Sequence, residues 1–466
     1  MGIKRSGIPL TLALLLALPG VWPLASGAAA DPFSPAVTLA GPDTSEPGQV
    51  AGSSSTADRE TVQQLVAKLI AADGMEGDEL GEAVAIDGDT AVVGASWATI
   101  DDQSHQGKAY VFERHHGGIN YWGEVARLIA SDGDEEDFFG NSVAISGNTV
   151  VIGAVSADVD GKEYQGAAYV FDRDKGGADA WGQVQKLTAS DGEADDNFGS
   201  SVAISEDGQT IIVGAQFAAV DGTDGQGAAY VFTRTGSLWS EGPKFFADDG
   251  AENDLFGGSV SLCGDTAVVG ADQATVDGQT MRGAAYVFGR DEGGADDWGQ
   301  VTKLEPLDSA AYSRFGVSVS ISGDSAIVGA HGVKVGEHSQ QGAAYVFARD
   351  EGGSNGWGQV QKLIAPADGE VEHFGLSVSI SGDTIVVGAP DTNFDSEHSQ
   401  GAAYVYERAQ GGGDPWAFGE QLTAFDGAAS DQFGLAVAAS SEGKAIIVGA
   451  WNATIAPDVQ GAAYVF

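Results

Sequence analysis

Phe198-Gly199-Ser200-Ser201-Val202-Ala203, Val213-Gly214-Ala215 and Gly227-Ala228-Ala229-Tyr230-Val231-Phe232 are three short runs that recur down the chain in the same order. The Phe-Gly pair sets the frame. Its glycines are Gly81, Gly140, Gly199, Gly257, Gly316, Gly375 and Gly434, at steps of 59, 59, 58, 59, 59 and 59 residues. The first copy alone departs, with Leu80 in place of phenylalanine. So constant a period means one supersecondary unit copied seven times, which decides the architecture before any single residue is interpreted.

The second copy serves as template. Phe139 to Ser146 reads as a short strand, and Gly147-Asn148 as the two-residue turn of a tight hairpin. Thr149 to Ala154 is a nearly continuous β-branched run, suited to a strand covered on both faces. After a polar loop, Gly166 to Phe171 forms a third strand, and Gln183 to Thr188, beyond Trp181, a fourth. Four short antiparallel strands make one propeller blade. The expected fold is all-β, a seven-bladed β-propeller over residues 61–466. The recurring Trp122, Trp239, Trp298, Trp357 and Trp416 are expected to pack between blades. The last copy has no fourth strand after Phe466, whereas a fourth-strand sequence, Val62 to Ile70, stands before the first copy. The N-terminal strand should therefore complete the last blade and close the ring.

These runs resemble the FG-GAP repeat, the blade unit of the integrin α-subunit N-terminal propeller and of many secreted bacterial proteins. The resemblance covers about residues 62–466. It implies extracellular recognition, often adhesion, through loops on one face. It also implies calcium loops of the form Asp-x-Asp-x-Asp-Gly-x-x-Asp between first and second strands, since calcium takes six to eight oxygens. Here those connections are pairs such as Gly88-Asp89, Gly264-Asp265 and Gly382-Asp383. Even the longest, Glu206 to Gln209 and Ser441 to Lys444, are too short to wrap an ion. The family's calcium sites do not carry over, and no cofactor is expected from them.

Lys4 and Arg5, the apolar Leu10 to Leu18 and Ala28-Ala29-Ala30 read as a signal peptide over residues 1–30, cleaved before Asp31. Residues 31–60, rich in Pro, Ser, Thr, Gly and Ala, read as a flexible linker. The product is expected to be extracellular or periplasmic, monomeric and not inserted in a membrane. The single Cys263 excludes an internal disulfide framework. A net charge of −45, from 67 acidic and 22 basic side chains, excludes nucleic acid as a partner, because that binding rests on neutralising phosphates.

Strand alternation puts the loops from strand four to the next strand one on the same face as the loops from strand two to strand three. Both sets are acidic, whereas most arginines follow third strands on the opposite face. One face should therefore concentrate negative potential. Asp132, Asp134 and Asp137 are candidate oxygens for a divalent cation, and Asp158, Asp160 and Asp221 candidate ligand contacts. The competing reading is that the acids solubilise the disc and Asp-Gly makes turns. Trp97 and Trp451, after the Gly-Ala of blades 1 and 7, and Phe217 in blade 3 are candidate platforms for a sugar ring, or else caps on the blade interfaces. His105, His338 and His398 fall in loops and lack the further ligands zinc needs. No nucleophile motif or phosphate loop appears, so no catalytic residue is assigned. The expected function is a noncatalytic binding scaffold for a protein or glycan. The alternative is a polysaccharide-active enzyme, a glycosidase or lyase, using loop carboxylates of the acidic face.

Overall fold

The computed structural model describes residues 65–294, 297–351, 353, 356–366, 371–394, 398–409, 416–440 and 444–466. The leader expected at 1–30, the linker at 31–60 and turn residues 441–443 lie outside these. Seven four-stranded antiparallel sheets form the ring, so the propeller reading holds. Blade 3 is representative: Phe198–Ile204, Thr210–Ala215, Ala228–Thr235 and Leu238–Phe245 pair in sequence order. Its second strand is buried at every residue, which is why the run Thr210–Ala215 shows no polar alternation. First strands neighbour one another around the ring, the last against the first, and so line the axis. In blade 7, Ala67–Leu69 pairs antiparallel with Ala462–Val465 as the outer strand. The ring is closed by an N-terminal strand, as the repeat count required. Among the described residues no helix is long and apolar enough to cross a membrane.

The Phe-Gly pair is the joint between blades. Phe315 bridges in parallel to Gly283 of the preceding blade, while its ring packs edge-on against Tyr345 and Phe347 of its own. Gly316 adopts φ 95°, and a Cβ there would lie 2.2 Å from the Ala284 carbonyl of the preceding blade. In return the Gly316 carbonyl occupies the space where Gly270 lacks a side chain. Ser259 Oγ donates to that carbonyl at 2.8 Å, and Ser142, Ser201, Ser318 and Ser377 repeat the bond at 2.8–3.0 Å. Blades 1 and 7 carry Ala83 and Ala436 at this position. In blade 1 Leu80, fully buried, keeps the bridge, to Gly461.

The opposite face is tied by arginine. Arg349 donates to Thr266 of the preceding blade at 2.8 Å, pairs with Asp324 at 2.7 Å and lies 4.9 Å over the Trp357 ring. Arg290 and Arg408 repeat the pattern. The repeated tryptophans thus pack at blade interfaces, and the charges of these three arginines are matched by aspartates of the first hairpins.

Candidate functional site

The acidic face is built from loops that follow fourth and second strands. Loop 2–3 of blade 1 and loop 4–1 leading into blade 2 pair directly, with Phe138 N–H donating to the His105 carbonyl at 3.0 Å. Much of the acid here is already partnered. Tyr286 and Lys303 both donate to Asp249, at 2.9 and 2.8 Å, and the same trio recurs at Asp191, Asp308 and Asp426. Burial pushes these carboxyls up, but the lysine and tyrosine hydrogen bonds outweigh it and hold them below the usual carboxylate range. The belt clips the outer strands of blades 2, 3, 4, 5 and 7 to the loops before them.

Asp132 belongs to this belt, pairing with Lys186 at 2.7 Å. Asp137 is buried and accepts the Asp134 N–H at 2.8 Å, and burial lifts its pKa to about 6. Asp134 accepts the Glu135 N–H at 2.9 Å. Asp134 and Asp137 therefore brace their own loop, Asp132 ties it to the outer strand of blade 2, and the three form no cation cage. Among the described residues no group of three or more His, Cys, Asp or Glu side chains is placed to share a metal ion. Asp160 and Asp221 are exposed first residues of two-residue turns, at φ 52° and 50°, between Val159 and Lys162 and between Val220 and Thr223. Asp158 accepts the Tyr164 N–H at 3.0 Å within its own hairpin.

The aromatic candidates separate. Trp97 sits edge-on to His105 and Phe138, with centroids 4.7 and 5.3 Å away, as a cap over the junction of blades 1 and 2. Trp451 donates through Nε1 to Gln432 Oε1. Trp97 is the second residue after Gly-Ala and Trp451 the first, so the two are not structural equivalents. Phe217 is half-buried, its N–H 3.3 Å from the Asp196 carbonyl. The histidines that meet are His331 and His373, at 5.4 Å between centroids.

What the face does concentrate is variety at the mouth of the axis. The residue before each Phe-Gly pair enters an innermost strand in the left-handed region: Glu79, Phe138, Asn197, Leu255, Arg314, His373 and Gln432, at φ 52–59°. Five of them reach back to the residues just after Gly-Ala in the preceding blade. Phe138 meets Trp97, Asn197 donates to the Val155 carbonyl, Arg314 pairs with Asp272 at 2.9 Å, His373 meets His331, and Gln432 donates to Asp391 at 3.0 Å. The first residue after Gly-Ala is Ser96, Val155, Gln216, Asp272, His331, Pro390 or Trp451. No residue type is used twice at either position.

Electrostatics at this mouth are strongly perturbed. Burial drives the Asp272 carboxyl up against the pull of Arg314. Burial, then His373 and Arg314, pushes His331 down to about 3, so it is neutral. Asp391 is held low, its burial outweighed by hydrogen bonds from His373 and Gln432. At blade 1, burial and then Glu82 raise Glu79 to about 8, and burial raises Glu82 to about 7 against the Ser96 hydroxyl.

Both glutamates therefore hold protons in the folded chain that they release above about pH 4.5 when unfolded. Their stabilising contribution is complete below that value and is lost as pH rises through about 7 and 8. The melting temperature should fall between about pH 5 and about pH 9, and Glu79→Gln/Glu82→Gln should flatten the slope. Identical slopes for the two proteins would remove these carboxyls as its source.

Of the residues at these two mouth positions, only Trp451 was singled out in the sequence. The available signal was variation at the residues flanking the constant motifs, one before Phe-Gly and one after Gly-Ala. The FG-GAP repeat family matches residues 64–112, 122–171, 181–232, 239–288, 298–347, 357–406 and 416–466. No curated protein sequence matches the chain. Each family match starts in the outer strand of one blade and ends in the third strand of the next, so every sequence unit stitches two blades together. Matched in register around the whole ring, the chain belongs to the FG-GAP repeat family.

Proposed function

We propose that the protein is a secreted, noncatalytic scaffold that binds a protein partner at the mouth of the ring on its acidic face. One observation carries this reading: the joints repeat from blade to blade, while two mouth positions carry seven different residues each. A constant frame with a variable rim is the layout of a recognition surface on a rigid support. Exposed Leu307, Tyr312 and Phe425 lie on loops of the same face and supply apolar anchors among carboxylates. A protein suits this surface better than a glycan, because Trp97 is packed edge-on and Trp451 is tied to Gln432. Secretion rests on the leader-like run from Lys4 to Ala30.

The test is saturable binding of labelled protein to the outer surface of producing cells. Leu307→Asp/Tyr312→Asp/Phe425→Asp should abolish binding, and Ile119→Asp/Tyr121→Asp/Leu238→Asp, on the opposite face, should leave it intact. Equal binding by both variants would move the partner elsewhere. One observation favours a second reading, polysaccharide cleavage: Glu79 and Glu82 retain protons near neutrality, as a general acid must. Release of reducing ends that Glu82→Gln abolishes would establish it.

A further inference from the structure

His331 directly follows Gly329-Ala330 of blade 5, and His373 directly precedes Phe374-Gly375 of blade 6. The repeat therefore brings them to one point on the axial mouth. Their rings meet at 63°, with centroids 5.4 Å apart. His373 is 5% exposed, and its Nδ1–H donates to Asp391 Oδ2 at 2.7 Å. Asp391 is fixed in turn by Gln432 Nε2, and Gln432 by the Trp451 indole. Holding the proton on Nδ1 leaves the Nε2 lone pair bare, and that atom is buried without a partner. His331 Nδ1 is also buried without a partner. Two orphan imidazole nitrogens on neighbouring rings are costly unless they gain a partner.

We propose that His331 Nδ1 and His373 Nε2 together bind a divalent transition-metal ion, Zn²⁺ or Cu²⁺, with Asp391 as the carboxylate that orients His373. Imidazole is a favoured donor for both metals. With metal–nitrogen bonds of about 2.0–2.1 Å and a tetrahedral angle, two ligating imidazoles have centroids about 5 Å apart. The observed centroid separation of 5.4 Å is close to that value. The Asp391–His373 pair matches the carboxylate–histidine arrangement that fixes tautomer and ring orientation at metal centres. These two side chains are the protein ligands proposed among the described residues, and water would complete the coordination.

The experiment uses the full chain, stripped with chelator and titrated with Zn²⁺ by calorimetry and with Cu²⁺ by electron paramagnetic resonance. One equivalent should bind, and the copper spectrum should show coupling to two nitrogens. His331→Gln or His373→Gln should remove the two-nitrogen signal. Asp391→Asn should weaken affinity by about 10–100-fold and keep it. His115→Ala/His116→Ala, which removes the adjacent histidines of the opposite face, should change nothing. A wild-type spectrum lacking two-nitrogen coupling, or no heat with Zn²⁺, would overturn the proposal whether or not the variants fold. So would a spectrum that survives both glutamine substitutions.

Discussion

Gly316→Ala should cost about 2–5 kcal/mol, adding the left-handed penalty of a side chain to that of overpacking. Gly316 sits at φ 95°, where an L-residue is strained, and its new Cβ would lie 2.2 Å from the Ala284 carbonyl oxygen. That oxygen is backbone of a paired third strand, so no flexible group can yield. Gly316 is also held from two other sides. Its N–H donates to the Gly329 carbonyl at 2.9 Å, and its own carbonyl takes the Ser259 hydroxyl at 2.8 Å while filling the gap at Gly270. A shift at one blade therefore disturbs the next. Gly323→Ala is the matched control: φ is 55°, but a Cβ there meets nothing within 4 Å. It should cost about 1–2 kcal/mol, the conformational share alone. Denaturant midpoints of the two variants measure the difference. Equal losses would mean that the inter-blade contact contributes nothing beyond the turn geometry.

The joints were legible because they repeat. Leu80 keeps the phenylalanine position apolar, and it bridges to Gly461 as its sister residues bridge to their own glycines. Partners drawn from another blade were harder to see. Lys303 and Asp249 are 54 positions apart, so the acidic loops read as an uncompensated field although much of their charge is clipped to neighbouring strands. Asp132 looked available for a cation for the same reason. The aromatics do not share one register. Trp97 and Trp451 differ by one position after Gly-Ala, and at the end of a strand one position redirects the side chain. His331 and His373 lie 42 positions apart, at points where no two copies agree, and no local pattern marks them. Residues that build the frame announce themselves by recurrence, whereas those at the mouth are visible only after the ring is closed.

A chain beginning at Ala71 should melt about 5–10 °C lower than one that retains the N-terminal strand, and should associate with itself. The strand is short, but it does three things at once. Its backbone pairs Ala67, Lys68 and Leu69 with Val465, Tyr464 and Ala463, covering the edge of the last third strand. Leu69, 1% exposed, fills the core shared by blades 7 and 1, a loss worth about 2–5 kcal/mol by analogy with large-to-small core substitutions. Lys68 pairs with Asp426 at 2.7 Å and lies 5.1 Å over the Tyr464 ring. For a domain of this size a few kcal/mol is a shift of several degrees. The closing seam also lacks one bond that most other joints have. Blade 7 carries Ala436 where five other blades carry the serine that bonds the next glycine carbonyl. Truncation would also leave Ala462–Val465 as an open edge strand, a template for pairing with another copy. Lys68→Ala separates the contributions, since a part-exposed ion pair alone is worth about 0–1 kcal/mol. Calorimetry and light scattering on the three proteins should rank wild type above Lys68→Ala, and that above the truncated chain, with association confined to the last. An unchanged melt after truncation would mean that the ring holds by its inner joints alone.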